Sequence, residues 1–322
     1  LSLIQRYPHR AKLIRIVNAE RMPPLGISWQ ALCDSSILKI SSSPHVEPLL
    51  QRYHLRSHLL RNSARNAGRN FVTCSSSTKE LRSSDLVALE YSDLQLTDNC
   101  SSDLGHVRIR QHVNPLSSSF LEPAPTPNWK EIYRNPNLPL MVDIGCGSGR
   151  FLIWLAQRNS ELGNYLGLEI RQKLAKRADL WAKELHLDNV GFLFANATVS
   201  FRKLVQSYPG PINLVSILCP DPHFKKRHHK RRVVQKPLVD DIISCLRPGG
   251  QIFCQSDILE VAKEMREQFD DEEHALRHAD EAGCDEEGWV LRNPLGIRTE
   301  REIHAEFDGA KIYRRLYQKH SS

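Results

Sequence analysis

From residue 140 onward, short apolar runs alternate with amphipathic stretches in a regular order. Leu140–Ile144 predicts a strand that runs into the turn Gly145-Cys146-Gly147-Ser148-Gly149, and Arg150–Arg158 predicts a helix with Phe151, Leu152 and Leu155 on one face. Tyr165–Ile170 predicts the next strand, and Arg171–Leu185 a helix with Leu174, Ala178, Trp181 and Leu185 at helical spacing. A strand over Gly191–Ala195, a helix over Phe201–Ser207 and a strand over Ile212–Leu218 follow. A further helix through Leu238, Ile242, Ile243 and Leu246 ends at Arg247-Pro248-Gly249-Gly250, before a strand over Gln251–Gln255. Strands alternating with helices predict an α/β fold, a parallel sheet covered on both faces. The tail departs from this rhythm. Gly288–Leu291 and Ala310–Tyr317 predict a late strand pair separated by Asn293–Glu306, and the acid-rich stretch Glu264–Glu287 reads as a solvated face.

Charge divides the chain in two. The 322 residues carry a formal net charge of +7, but residues 1–79 hold twelve Lys/Arg against three Asp/Glu. Residues 80–322 therefore carry 32 basic against 34 acidic side chains, so contact with a polyanion there requires a local patch. The Arg- and Ser-rich, acid-poor residues 1–79 resemble a disordered transit peptide, with Phe71-Val72-Thr73-Cys74 and Ser75–Ser77 as a processing region. Its serine content favours a chloroplast over a mitochondrion, with nucleus or cytosol as the alternative if this segment is not a transit peptide. Residues 80–104 read as a linker and residues 105–322 as one catalytic domain, ordered from about His106. The eight cysteines form no CxxC pair, which fits reduced thiols and no zinc site. No apolar run approaches bilayer-crossing length, so no membrane partner is expected.

Chemistry concentrates at the predicted strand ends. Gly145, Gly147 and Gly149 between a strand and a helix form a nucleotide-type turn, in which missing side chains let a ligand approach the backbone. Arg150 occupies the place where a dinucleotide fingerprint needs another glycine, and it crowds the pyrophosphate position. A tight glycine turn without pyrophosphate space points to S-adenosylmethionine, which carries no phosphate. Glu169, at the end of the second strand, is placed to accept from two ribose hydroxyls. Asp143 lies at the methionine end, where a carboxylate can meet an ammonium. Asn196, after the third strand, is a candidate for the adenine edge with Ala197 beneath the ring, or simply a turn cap.

The run from Cys219 to Arg232, CPDPHFKKRHHKRR, joins a carboxylate on a proline-stiffened turn to six cations and three histidines. A fixed acid beside a basic stripe suits chemistry on a polyanion that becomes locally cationic. The Lys225–Arg232 stripe is expected to grip phosphates without reading sequence. His223, His228 and His229 do not suggest a metal centre, because the flanking cations repel one.

These residues resemble the tRNA (guanine-N7)-methyltransferases. The likeness rests on DIGCGSGR at Asp143–Arg150, LGLEIR at Leu166–Arg171, PDPHFK at Pro220–Lys225 with His229–Arg232, and Thr299-Glu300-Arg301-Glu302, over roughly residues 105–320. It implies a Rossmann-like class I methyltransferase with a mostly parallel seven-stranded sheet and an antiparallel C-terminal strand. The implied reaction carries a methyl group from S-adenosylmethionine to N7 of guanosine in tRNA, at position 46 of the variable loop. By the same resemblance Asp143, Gly145, Gly147, Glu169, Arg171, Asn196, Ala197 and Leu218 form the donor site, and Asp221 is the catalytic acid. Lys225, Asp257, Thr299 and Glu302 match substrate-binding positions. Thr299 and Glu302 also spell a helix-capping box, and Asp257 is a candidate cap for a helix starting at Ile258. No metal is expected; the sequence does not require a protein partner, a monomer or homodimer being the expectation, with a catalytic subunit that needs a partner, as nuclear relatives pair with a propeller-type subunit, as the alternative. The competing readings are another methyltransferase acting on RNA or a small molecule, and a noncatalytic tRNA-binding module.

Overall fold

The computed structural model describes residues 82–96, 113–279 and 283–321; the leader assigned to residues 1–79 lies outside them. Period-two alternation in β1 (Leu140–Ile144) sends Leu140, Val142 and Ile144 into one apolar layer and Met141 into the other. Both faces of the strand are buried, as expected where helices cover a parallel sheet on each side. The elements preceding it are α1 (Ser83–Glu90) and the short α2 (Trp129–Ile132). After β1 come α3 (Arg150–Arg158), β2 (Asn164–Glu169), α4 (Gln172–Glu184), β3 (Val190–Phe194), α5 (Ala197–Gln206) and β4 (Ile212–Leu218). A 3-10 helix over Lys226–Arg231 leads into α6 (Lys236–Cys245), β5 (Leu246–Ser256), α7 (Leu259–Asp270), β6 (Leu276–His278), α8 (Glu300–Phe307) and β7 (Tyr313–Lys319).

The seven strands lie in the order β3-β2-β1-β4-β5-β7-β6. The first five of that order are parallel, whereas β7 runs antiparallel to both β5 and β6. Strand order reverses between β1 and β4, which opens a crevice at their C-terminal ends where open α/β sheets bind ligands. Helices α5, α6 and α7 supply Phe201, Leu204, Leu238, Ile242, Met265 and Phe269 to one layer. Helices α3, α4 and α8 supply Phe151, Leu152, Ala178, Trp181 and Ile303 to the other.

Three expectations need correction. Gly288–Leu291 is not a sheet strand. Asp285 Oδ1 accepts from the backbone N–H groups of Glu287 and Trp289, coiling the segment, and Val290 forms an isolated bridge with Cys284 while donating one N–H bond, at 2.9 Å, to the Arg314 carbonyl of β7. The partner of β7 is instead Leu276–His278, inside the acid-rich stretch read as a solvated face. Within the stretch read as linker, α1 packs against α8, ahead of the expected onset of order at His106. Arg298 grips Glu90 at 2.6 Å and Glu306 at 3.0 Å, and the Tyr91 hydroxyl donates to the Arg298 carbonyl at 2.5 Å. Val87, Tyr91 and Leu94 are buried by this docking.

Helix α8 is fixed by its first turn. Thr299 Oγ1 accepts from the Glu302 N–H at 3.2 Å, and Glu302 Oε2 accepts from the Thr299 N–H at 3.2 Å. The same Glu302 carboxylate, fully buried, accepts from Gln255 Nε2 of β5 at 3.0 Å, Arg314 Nη2 of β7 at 2.5 Å and Asn293 Nδ2 at 3.2 Å. Removing one member of a buried ion pair leaves the other charge uncompensated. Glu302→Ala is therefore expected to lower unfolding stability by about 3–5 kcal/mol. Urea titration followed by far-UV circular dichroism checks this, with Glu302→Gln losing less because it retains acceptor capacity.

Candidate active site

The ends of β1, β2, β3 and β4 bring the predicted donor residues to one edge. The β1 turn runs through Gly145, Gly147 and Gly149 at φ +83°, +58° and +80°, a region that side chains rarely adopt. Their surroundings divide the three. A Cβ on Gly149 would stand 2.5 Å from Ala178 Cβ, so this glycine lets the turn pack against α4. At Gly145 and Gly147 an added Cβ would meet nothing within 4 Å, which leaves the cradle that an adenosyl ligand requires.

Glu169 ends β2 and is buried. Its Oε2 accepts from the Gly147 N–H at 2.9 Å and from Arg171 Nη2 at 3.1 Å; its Oε1 accepts from Arg171 N at 2.9 Å and Nε at 2.8 Å. A carboxylate offers about four lone-pair directions, and protein donors fill them here. The ribose role expected of Glu169 thus requires Arg171, whose guanidinium is partly exposed, to give way. Burial works against the Arg171 cation, yet the Glu169 carboxylate outweighs it and holds the pKa above the ordinary value, with Asp221 adding to the same effect.

Asp143 faces Ser216 of β4 in register, and Ser216 Oγ donates to Asp143 Oδ1 at 2.6 Å. Burial pushes the Asp143 carboxyl up to about 7; the Ser216 bond opposes this, and the nearby Glu169 charge reinforces it. Ser216 was not singled out in the sequence, although a lone serine inside Ile212-Asn213-Leu214-Val215-Ser216-Ile217-Leu218 is a legible signal.

Asn196 caps α5. Its Oδ1 accepts from Thr198 N at 3.2 Å and Thr198 Oγ1 at 2.8 Å, while Nδ2 donates to the carbonyls of Pro115 and Phe120, each at 3.1 Å. The side-chain amide is thus spent on the cap and on holding segment 113–121 against the sheet edge. Ala197 follows as the first, buried residue of α5. Leu218 ends β4, half-buried beside the crevice.

The turn after β4 carries Asp221. Cys219 and His223 adopt φ +52° and +43°, unusual for side-chain-bearing residues. The turn is tied down at both ends: Cys219 N–H donates to the Gln255 carbonyl at 2.7 Å, and Arg232 Nε donates to the Pro222 carbonyl at 2.8 Å. Asp221 Oδ1 accepts from the His223 N–H at 3.3 Å, and the Asp221 side chain stays 28% exposed at the edge. Arg232 corrects the picture of a uniform phosphate-gripping stripe. It is buried, paired with Glu260 at 3.0 Å and with Glu264, and it contacts His229 Nε2 at 3.0 Å. The outward cations of the run are Lys225, Lys226, Arg227 and Lys230. Among the described residues, no group of three His, Cys, Asp or Glu side chains is arranged to hold a metal.

Asp257 follows β5 and is held by Arg301 at 2.5 Å; it does not cap α7, whose N-cap position is Ile258 with no side-chain cap, and the Ile258 N–H donates to Ser256 Oγ at 3.1 Å. Lys225 is exposed beside Asp221 in the turn. Thr299 and Glu302 form the capping box described above. Their neighbours Glu300 and Arg301 point to the strand-end edge, with Glu300 accepting from Ser148 Oγ at 2.5 Å and from Arg150 Nη1 at 2.8 Å. Nothing in the sequence singled out Glu300, because its partners lie 150 residues away.

Comparison with known proteins agrees with this geometry. The family profile Methyltransf_4 ("Putative methyltransferase") matches residues 137–315. A tRNA (guanine-N(7)-)-methyltransferase of Synechococcus sp. (strain JA-2-3B'a(2-13)) is 53% identical over 211 residues, covering 66% of this chain and 84% of its own length. One from Trichormus variabilis is 43% identical over 219 residues, covering 68% of this chain and 99% of its own.

Asp143 gives the site a pH signature. A cationic ligand group facing Asp143 favours its ionised form, so binding releases the proton that burial retains near neutrality. Affinity for S-adenosylmethionine is expected to rise from pH 6 to 7.5, and Asp143→Asn to flatten that rise; isothermal titration calorimetry across this window checks both. For folding the sign is opposite. Raised above its unfolded value of 3.8, Asp143 makes the native state bind the extra proton, so its contribution to stability falls as pH rises from about 4 to about 7.

Proposed function

We infer that this chain, which belongs to the tRNA (guanine-N(7)-)-methyltransferase family, transfers the methyl group of S-adenosylmethionine to guanine N7 in tRNA, at position 46 of the variable loop. The observation that carries this reading is the seating of Asp221 at the end of β4, between the glycine turn and the exposed cations of the basic run. The donor supplies a methyl group on a sulfonium: its S–CH3 bond breaks with the electron pair passing to sulfur as the N7–CH3 bond forms. Guanine N7 has a free lone pair and no proton, so no residue here is required as a base. Gly145 and Gly147 leave room for the adenosyl group, and Asp143 is placed for the ammonium end. Asp221 stabilises the positive charge that develops on the purine, more strongly than it interacts with neutral guanine. Its accessible carboxylate also suits the base's N1–H or amino hydrogens. The anchored turn fixes Asp221 in advance of the reaction, and placement is the main contribution a protein makes to an attack that needs no proton transfer.

With undermodified tRNA and labelled donor, the full chain is expected to incorporate label and to create a site of chemically induced strand scission in the variable loop. Asp221→Ala is expected to lower kcat by roughly 10²–10³-fold, the range for losing one preorganised electrostatic group. Full turnover by Asp221→Ala contradicts the assigned role. Binding of tRNA without incorporation by the wild-type chain points to the noncatalytic reading.

The Arg- and Ser-rich, acid-poor composition of residues 1–79 supports a chloroplast address for the enzyme. Fused to a fluorescent reporter, this segment is expected to direct it into plastids; retention in the cytosol or delivery to mitochondria contradicts the assignment.

A further inference from the structure

We propose that Phe224 is a stacking platform for the nucleobase next to the methyl-accepting guanine, an assignment that rests on the tRNA reading above. Phe224 is 66% exposed, ahead of Leu291 at 62% among the large apolar side chains described. Its place in the chain is constrained on both sides. Arg232 holds the Pro222 carbonyl two residues before it, and His228 N–H donates to the Lys225 carbonyl at 2.6 Å just after it. The ring therefore projects from an anchored turn. It lies three residues from Asp221, so the two Cα atoms are separated by no more than about 11 Å. That is the scale of adjoining nucleotides, not of a remote contact.

The surroundings select the ligand. Lys225, Lys226 and Arg227 follow the ring directly and are exposed. Half-buried His228 reports the local field: its burial, then the charges of Arg231, Arg227 and Lys225, hold its pKa below the ordinary value. An apolar ring ringed by cations is poorly suited to an apolar protein surface. A single strand of nucleic acid answers both features, since its phosphates meet the cations and its bases offer π-faces to the ring. A membrane surface fits less well, because the following 3-10 helix, Lys-Arg-His-His-Lys-Arg, has no apolar face to insert.

Stacking and charge separate experimentally. Binding of unmodified tRNA to the full chain is measured by fluorescence anisotropy over a salt series. Phe224→Ala is expected to weaken binding roughly 5- to 100-fold, the range of one base–aromatic stack. The slope of log K against log salt should remain that of wild type, whereas Lys226→Ala should reduce it by about one phosphate contact. Phe224→Trp should restore binding and Phe224→Leu should not, because leucine supplies apolar area without a π-face. Thermal unfolding of each variant controls for folding, which an exposed side chain should not disturb. Binding by Phe224→Ala within twofold of wild type overturns the proposal, as does rescue by leucine equal to that by tryptophan. Failure of wild type itself to bind tRNA overturns both this proposal and the substrate assignment, which distinguishes the two failures.

Discussion

The rim of the active site depends on one buried carboxylate, Glu302, at the first turn of α8. It closes the helix cap with Thr299 while holding Gln255 of β5 and Arg314 of β7, the antiparallel pair on the far side of the switch point. Because a helix turns about 100° per residue, fixing Glu302 inward also fixes where its two predecessors point. Glu300 meets Ser148 and Arg150 beside the glycine turn, and Arg301 meets Asp257 at the end of β5. A late chain segment is thereby aligned with turns formed by residues far earlier in sequence.

A second constraint acts at the acceptor side. Arg232 is a cation turned inward, neutralised by Glu260 and Glu264 of α7, and its bond to the Pro222 carbonyl steadies the turn that carries Asp221. The basic run thus divides its labour. Its last arginine secures the frame, while Lys225, Lys226, Arg227 and Lys230 remain exposed. Clustering on one turn explains how a region with slightly more acidic than basic side chains can attract a polyanion.

The bounds of β1 and β4 were legible residue for residue because both are mainly apolar runs closed by Gly or Cys-Pro. The strand-end edge was legible for the same reason: in an α/β sheet, residues at the ends of such runs collect at one edge. Less could be read where tertiary contacts overrule local pattern. Leu276–His278 has one buried residue and becomes a strand only because β7 offers an edge. Gly288–Leu291 has a strand's composition but is coiled by Asp285. Helix α1 owes its place to Arg298, more than 200 residues away, and Asn196 serves two carbonyls about 80 residues upstream. Side-chain partners at such separations leave no local trace.

The Glu169–Arg171 pairing has a consequence for how ligands enter. With every acceptor direction on Glu169 already used, any further donor reaching this carboxylate gains a bond only in exchange for one already made. Arg171 also lies in the field of Asp221, so a change in its pairing alters the charge near both carboxylates.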